Sequence, residues 1–108
     1  LNGILSDDMG LGKTLQDITV ITQNKRDNPA GVTLIVSPTS LIYNWKEEIT
    51  RFNPKLTAMV VDGTPTQRKK LIKDLKKYDV VVTSYSLLQK DIEQYQEYNF
   101  DYAILDEA

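Results

Sequence analysis

The chain has 108 residues, enough for one small domain with a single core or for a piece of a larger one. Its 13 Lys and Arg against 15 Asp and Glu leave a net charge of −2, which argues against binding nucleic acid by bulk charge and leaves only local patches for that purpose. Cysteine and histidine are both absent, which excludes disulfides, thiolate or imidazole metal sites and a histidine general base.

The first apolar run, at residues 3–5, enters a glycine-rich loop. From Lys13 onward Leu15, Ile18, Ile21 and Thr22 recur at helical spacing, and Lys25 and Arg26 suit a helix C-terminus. Asn28-Pro29-Ala30-Gly31 breaks that helix. Residues 32–36 form a β-branched run of the kind that fills a parallel sheet buried on both faces. After the turn Ser37-Pro38-Thr39-Ser40, the residues Leu41, Ile42, Trp45, Ile49 and Phe52 form one apolar helix face. Trp45 lies on that stripe, so it is expected in the core rather than as a base-stacking residue.

A third strand is expected at 56–61, closed by Asp62-Gly63. Thr64-Pro65-Thr66-Gln67 reads as a capping box with proline at the first helical position. Leu71, Ile72, Leu75 and Tyr78 mark the buried stripe of the next helix, and Arg68, Lys69, Lys70, Lys73, Lys76 and Lys77 a basic face that reads as solvated, a DNA-facing role being the alternative. Residues 80–82 form a fourth strand. Thr83-Ser84-Tyr85-Ser86 opens a helix whose face carries Leu88, Ile92 and Tyr95, and 102–105 form a fifth strand. Five strands with four intervening helices predict an α/β fold, a parallel sheet with helices on both faces. No apolar run approaches the ~20 residues of a membrane-spanning helix, so no membrane partner is expected. The sequence opens and stops on strand patterns, with no basic-then-apolar leader, which reads as part of a larger domain.

Two constellations carry chemistry. The first is Ser6 to Thr14, with Gly10 and Gly12 around Leu11 and Lys13-Thr14 at a helix start. Glycines let backbone N–H groups turn toward phosphate oxygens, and the helix N-terminus adds partial positive charge. The Lys13 ammonium can reach the β- and γ-phosphates of ATP, and the Thr14 hydroxyl can ligate Mg²⁺. The general phosphate-loop pattern has glycine where this chain has Asp7. The second constellation is Asp106-Glu107 at the end of an apolar strand, where open α/β sheets bind ligands. Asp106 can hold Mg²⁺ and Glu107 can orient or deprotonate water. Acids also solvate ordinary strand ends; it is the combination with the phosphate loop that specifies an ATP-hydrolysing site.

These residues resemble the Swi/Snf-type ATPases of helicase superfamily two. Asp7-Asp8-Met9-Gly10-Leu11-Gly12-Lys13-Thr14-Leu15-Gln16 resembles their motif I, in which Asp at the position of Asp7 is usual. Residues 34–45 resemble motif Ia, 79–88 motif Ib, and 102–108 motif II cut before its fourth letter. The resemblance covers nearly the whole chain. Ser6, where the family more often has alanine, is a minor departure.

The resemblance implies that residues 1–108 are the N-terminal portion, motifs I to II, of the first of two RecA-like lobes. It implies a P-loop NTPase fold and a DNA-dependent ATPase that translocates on double-stranded DNA, with ATP and Mg²⁺ as cofactors. Asp8, Met9, Gly10, Leu11, Gly12, Lys13 and Thr14 would bind nucleotide. Thr14 and Asp106 would serve the metal, and Lys13, Asp106 and Glu107 the catalysis. Pro38, Thr39 and Ser40, and Thr83, Ser84 and Tyr85, would meet the DNA backbone by hydroxyls and helix N-termini, helix capping being the alternative for each turn. The second lobe of the same protein would supply arginines, so the fragment alone is expected to be inactive. Its place would be intracellular, in a bacterial nucleoid or cytoplasm or a eukaryotic nucleus. Two other readings stand beside this one: a restriction-type or RNA-directed helicase relative, and a nucleotide-binding module without turnover. The family topology also implies that a strand beyond residue 108 lies between the phosphate-loop strand and the motif II strand. A gap is therefore expected between them, and with it strand pairing between fragment copies.

Overall fold

The computed structural model describes residues 4–7 and 11–106, with side chains from residue 17 onward. Five strands, β1 (Ile4–Asp7), β2 (Thr33–Ser37), β3 (Ala58–Val60), β4 (Val80–Ser84) and β5 (Tyr102–Asp106), form one parallel sheet in the order β1-β5-β2-β4-β3. Between them run α1 (Leu11–Asp27), α2 (Ile42–Phe52), α3 (Pro65–Lys73) and α4 (Tyr85–Tyr95). Single 3₁₀ turns precede α2 at Thr39–Leu41 and follow α3 at Leu75–Lys77.

Every residue of β2 and β4 is buried, because helices cover both faces of the sheet. Alternation along the strands sorts the core into two layers. On one face Ile35, Val80, Val82 and Ile104 pack with Ile18 and Ile21 of α1 and with Ile42, Trp45 and Ile49 of α2. On the other Leu34, Val36, Met59 and Val81 pack with Ile72 and Leu75 and with Tyr95 of α4. Local signals fix the helix ends. Thr64 and Gln67 form both bonds of the expected capping box, with Pro65 at the first turn of α3.

The expected gap beside the phosphate-loop strand is not there. β1 pairs directly with β5 in parallel, Ile4 opposite Ala103 through Asp7 opposite Asp106. The other edge of β5 pairs with β2, so an unpartnered β1 would have left a row of peptide groups on each strand without bonds. Closing the sheet satisfies them. It also removes the internal gap that prompted strand pairing between copies.

Strand bounds and one helix face shift for local reasons. The third strand is shorter than residues 56–61, since only 58–60 find β4 in register, and Val61 adds one bond from its N–H to the Val82 carbonyl at 2.8 Å. β4 is longer than 80–82: Thr83 and Ser84 continue the β-branched run opposite Val36 and Ser37. On α4 the buried stripe includes Asp91 rather than Ile92, which is 42% exposed.

Burial of Tyr95 has a measurable consequence. Desolvation pushes its phenol from an ordinary 10.0 up to about 12, the neighbouring Thr83 hydroxyl offsetting only part of this. The fold thus favours the neutral phenol. That contribution is fully present below pH 10 and is lost as pH rises toward 12, about 2–3 kcal/mol in all. Urea unfolding of Tyr95→Phe is expected to lose stability less steeply than wild type across that window. Parallel slopes for the two proteins would reject the assignment.

Candidate nucleotide site

β1 ends at Asp7 and α1 begins at Leu11, so the phosphate-loop sequence spans strand end to helix start in the order its chemistry requires. The backbone of Gly12, Lys13 and Thr14 lies in the first turn of α1, where N–H groups have no partner within the helix. Asp8, Met9, Gly10 and Glu107 lie outside the described residues, as do the side chains of Leu11, Lys13 and Thr14.

Across the sheet edge, the last residue of β5 is Asp106, in register with Asp7. The direct β1–β5 pairing therefore sets the motif II aspartate on the strand adjacent to the one that leads into the phosphate loop. The Asp106 side chain is 1% exposed. Trp45 Nε1–H donates to its Oδ2 at 2.8 Å, and Tyr85 Oη donates to its backbone carbonyl at 2.9 Å. Trp45 is in the core, as its place on the α2 stripe requires. Its hydrogen bond to Asp106, 61 residues away, has no signal in the local pattern. The general rule that a buried indole N–H needs an acceptor is the hint the sequence offers.

The two turns expected to meet DNA differ from each other. Thr39 and Ser40 are exposed and Pro38 is half-buried, at the C-terminal end of β2. Neither the Thr39–Leu41 turn nor α2 has a side-chain cap, so helix capping does not account for these hydroxyls. At the second turn, Thr83 and Ser84 are 0% and 1% exposed. Thr83 Oγ1 donates to the Val61 carbonyl at 3.3 Å, and Ser84 Oγ accepts the Leu87 N–H at 3.3 Å as the cap of α4. Both hydroxyls face the interior, because β4 runs two residues further than expected. Of that trio Tyr85 alone reaches the surface, at 38% exposure.

The basic helix also departs from expectation. Arg68 is 5% exposed and is not part of a solvated face. Its Nε and Nη2 donate to Asp91 Oδ2 and Oδ1 at 2.8 and 3.3 Å, and its Nη1 to the Gly63 carbonyl at 2.8 Å. Gly63 sits at φ +105°, a conformation that side chains resist. Lys69, Lys70 and Lys73 of α3, and Lys76 and Lys77 after it, remain exposed.

Comparison with known proteins decides the family. The SNF2-related domain profile matches residues 1–108, the whole chain. The chain belongs to the SNF2-related domain family. The human chromatin-remodeling ATPase INO80 is 39% identical over 118 residues, covering 100% of this chain and 8% of that protein. The Schizosaccharomyces pombe TATA-binding protein-associated factor mot1 is 37% identical over 120 residues, again over 100% of this chain and 6% of its own length. The chain thus spans less than a tenth of these curated relatives. Among solved structures, the Sulfolobus solfataricus SWI2/SNF2 ATPase core domain superposes with a TM-score of 0.78 at 36% identity, over 96% of this chain and 20% of the other. The same ATPase core in complex with double-stranded DNA gives 0.70 at 29% identity, over 95% and 26%. The Swi/Snf resemblance read from motifs I to II and the RecA-like class of the sheet both follow from these matches.

Proposed function

We propose that this SNF2-related domain is the nucleotide-binding part of a DNA-dependent ATPase that couples ATP hydrolysis to movement on double-stranded DNA. The observation that carries the reading is the register of Asp7 with Asp106, which sets the motif II aspartate beside the entry to the phosphate loop at the ligand-binding edge of the sheet. Residues 8–14 cradle the phosphates, with Lys13 as the charge on the β- and γ-phosphates and Thr14 as a ligand of Mg²⁺. Asp106 supports the metal, and Glu107 orients or deprotonates the attacking water.

The residues fit a nucleotide-borne Mg²⁺. Such an ion keeps several waters and takes only one or two protein oxygens besides phosphate. No cluster of three or more acidic ligands occurs among the described residues, and the Asp106 residue is buried at the C-terminal end of β5. When bound, the metal would neutralise charge developing on the phosphates.

Double-stranded DNA as the track is supported by the complex of the Sulfolobus relative and by the exposed hydroxyls of Thr39 and Ser40. Pro38 completes the DNA-facing surface in this reading, with the partly exposed ring of Tyr85 beside it while the Tyr85 hydroxyl is engaged by Asp106. Thr83 and Ser84, being buried, are left out of it. A second RecA-like lobe from the same protein closes the cleft, and the motor acts on DNA inside the cell. Among the described residues no helix is long and apolar enough to cross a membrane.

The test measures ATP hydrolysis by the full-length protein with duplex DNA, single-stranded DNA and RNA. Duplex DNA is expected to stimulate most, while the 1–108 segment alone stays at background. Stimulation by RNA alone would favour an RNA-directed relative. ATP binding with no turnover on any nucleic acid would favour a binding module.

A further inference from the structure

Asp106 is held from outside its own strand. Trp45 comes from α2 and Tyr85 from the first turn of α4, and both reach the same residue. Their bonds are of different kinds. The indole N–H fixes one carboxylate oxygen, and with it the plane of the head group. The phenol O–H fixes the peptide carbonyl at the end of β5. A strand end can fray and an aspartate side chain can rotate; together the two bonds oppose both motions. Trp45 is rigid in turn, 3% exposed in the layer formed by Ile42, Ile49 and Ile104.

We propose that Trp45 and Tyr85 are positioning residues that hold the Asp106 carboxylate in the orientation a Mg²⁺-bound nucleotide requires. The proposal rests on the ATPase reading above. Neither residue touches nucleotide in it; each acts through Asp106. Partners that orient a metal-binding carboxylate typically carry 10–100-fold in metal affinity or activity.

The test uses Trp45→Phe and Tyr85→Phe in the full-length protein. Phenylalanine keeps an aromatic ring at each position and removes only the donor that reaches Asp106, together with part of the ring at Trp45. Binding of a fluorescent ADP is titrated with Mg²⁺, and hydrolysis is followed over the same Mg²⁺ series. The half-saturating Mg²⁺ concentration is expected to rise about 10-fold in Trp45→Phe and by a smaller factor in Tyr85→Phe. Metal-free ADP affinity should stay at the wild-type value. A purely structural role would weaken ADP binding with and without metal alike. If Trp45→Phe does not fold, the partly exposed Tyr85→Phe decides. Wild-type Mg²⁺ dependence in the folded variants overturns the proposal. Lys13→Ala, run in parallel, separates the two readings. If Lys13→Ala is inactive and the two variants respond to Mg²⁺ as wild type does, this proposal alone fails. If Lys13→Ala hydrolyses ATP normally, the ATPase reading fails with it.

Discussion

Lys13→Ala in the full-length protein is expected to reduce DNA-stimulated ATP hydrolysis by at least about 10²–10³-fold, the cost of losing one preorganised donor at a developing charge. The backbone of Lys13 lies in the first turn of α1, among the N–H groups that would cradle phosphate in the proposed site. In the proposed site, removing the ammonium would take away interactions with both bound ATP and its transition state. Nucleotide affinity should therefore fall along with turnover. Glu107→Gln should behave differently. It removes the proposed base while keeping size and hydrogen-bonding capacity, so ATP binding should persist while hydrolysis falls by about 10²–10⁴-fold. The two variants together form the check: equilibrium ATP binding and steady-state hydrolysis, each with duplex DNA. Wild-type turnover in either would reject the role given to that residue. Equal loss of binding in both would mean that Glu107 belongs to the nucleotide pocket rather than to the water.

Much of this architecture was legible because its signals are local. The apolar run before the glycines and the helical pattern after them announced β1 and α1 on either side of that segment. Thr64 and Gln67 announced a cap that forms as written. The apolar stripe from Leu41 to Ile49 put Trp45 inside. What was not legible depends on distant partners. The pairing of β1 with β5 joins residues about a hundred positions apart and leaves no local mark; the topology carried over from the family predicted a gap instead. Thr83 sits where the local pattern suggests a turn, yet it continues the β-branched run Val80-Val81-Val82 and is buried like its neighbours. The Trp45 bond to Asp106 needs the fold before it can be seen.

The basic helix is the instructive failure, because its signal was present and was outweighed by composition. Position 68 precedes Leu71, Ile72 and Leu75 by three, four and seven residues, which is the helical stripe itself. Position 91 follows Leu88 by three residues and precedes Tyr95 by four, again on the helical stripe. Each charge lies on an inward face, and the two faces meet across α3 and α4. A buried arginine is tolerated only with a partner. Two opposite charges on facing stripes were a pair waiting to be matched.

That pair sets the second large effect, on stability. The side chains of Arg68 and Asp91 are 6% and 5% exposed, and all three nitrogens of the guanidinium donate hydrogen bonds. The carboxylate accepts two of those bonds in a forked arrangement, and the Gly63 carbonyl accepts the third. Removing one partner leaves the other charged and desolvated. Asp91→Leu is therefore expected to destabilise the fold by about 3–5 kcal/mol, a large share of the ~5–15 kcal/mol that holds a typical domain together. Arg68→Met should cost a comparable amount, for Asp91 would then lack its counter-charge. The attraction between buried charges mostly offsets their own desolvation, so the pair adds far less to stability than either single loss suggests. The double variant Arg68→Met with Asp91→Leu should recover most of the deficit, less the bond to Gly63. Urea unfolding of the four proteins completes the cycle. Recovery in the double variant would identify the single losses as the cost of an orphaned charge. Additive losses would instead mean that Arg68 and Asp91 each stabilise the α3–α4 face through packing, and that the ion pair is incidental to it.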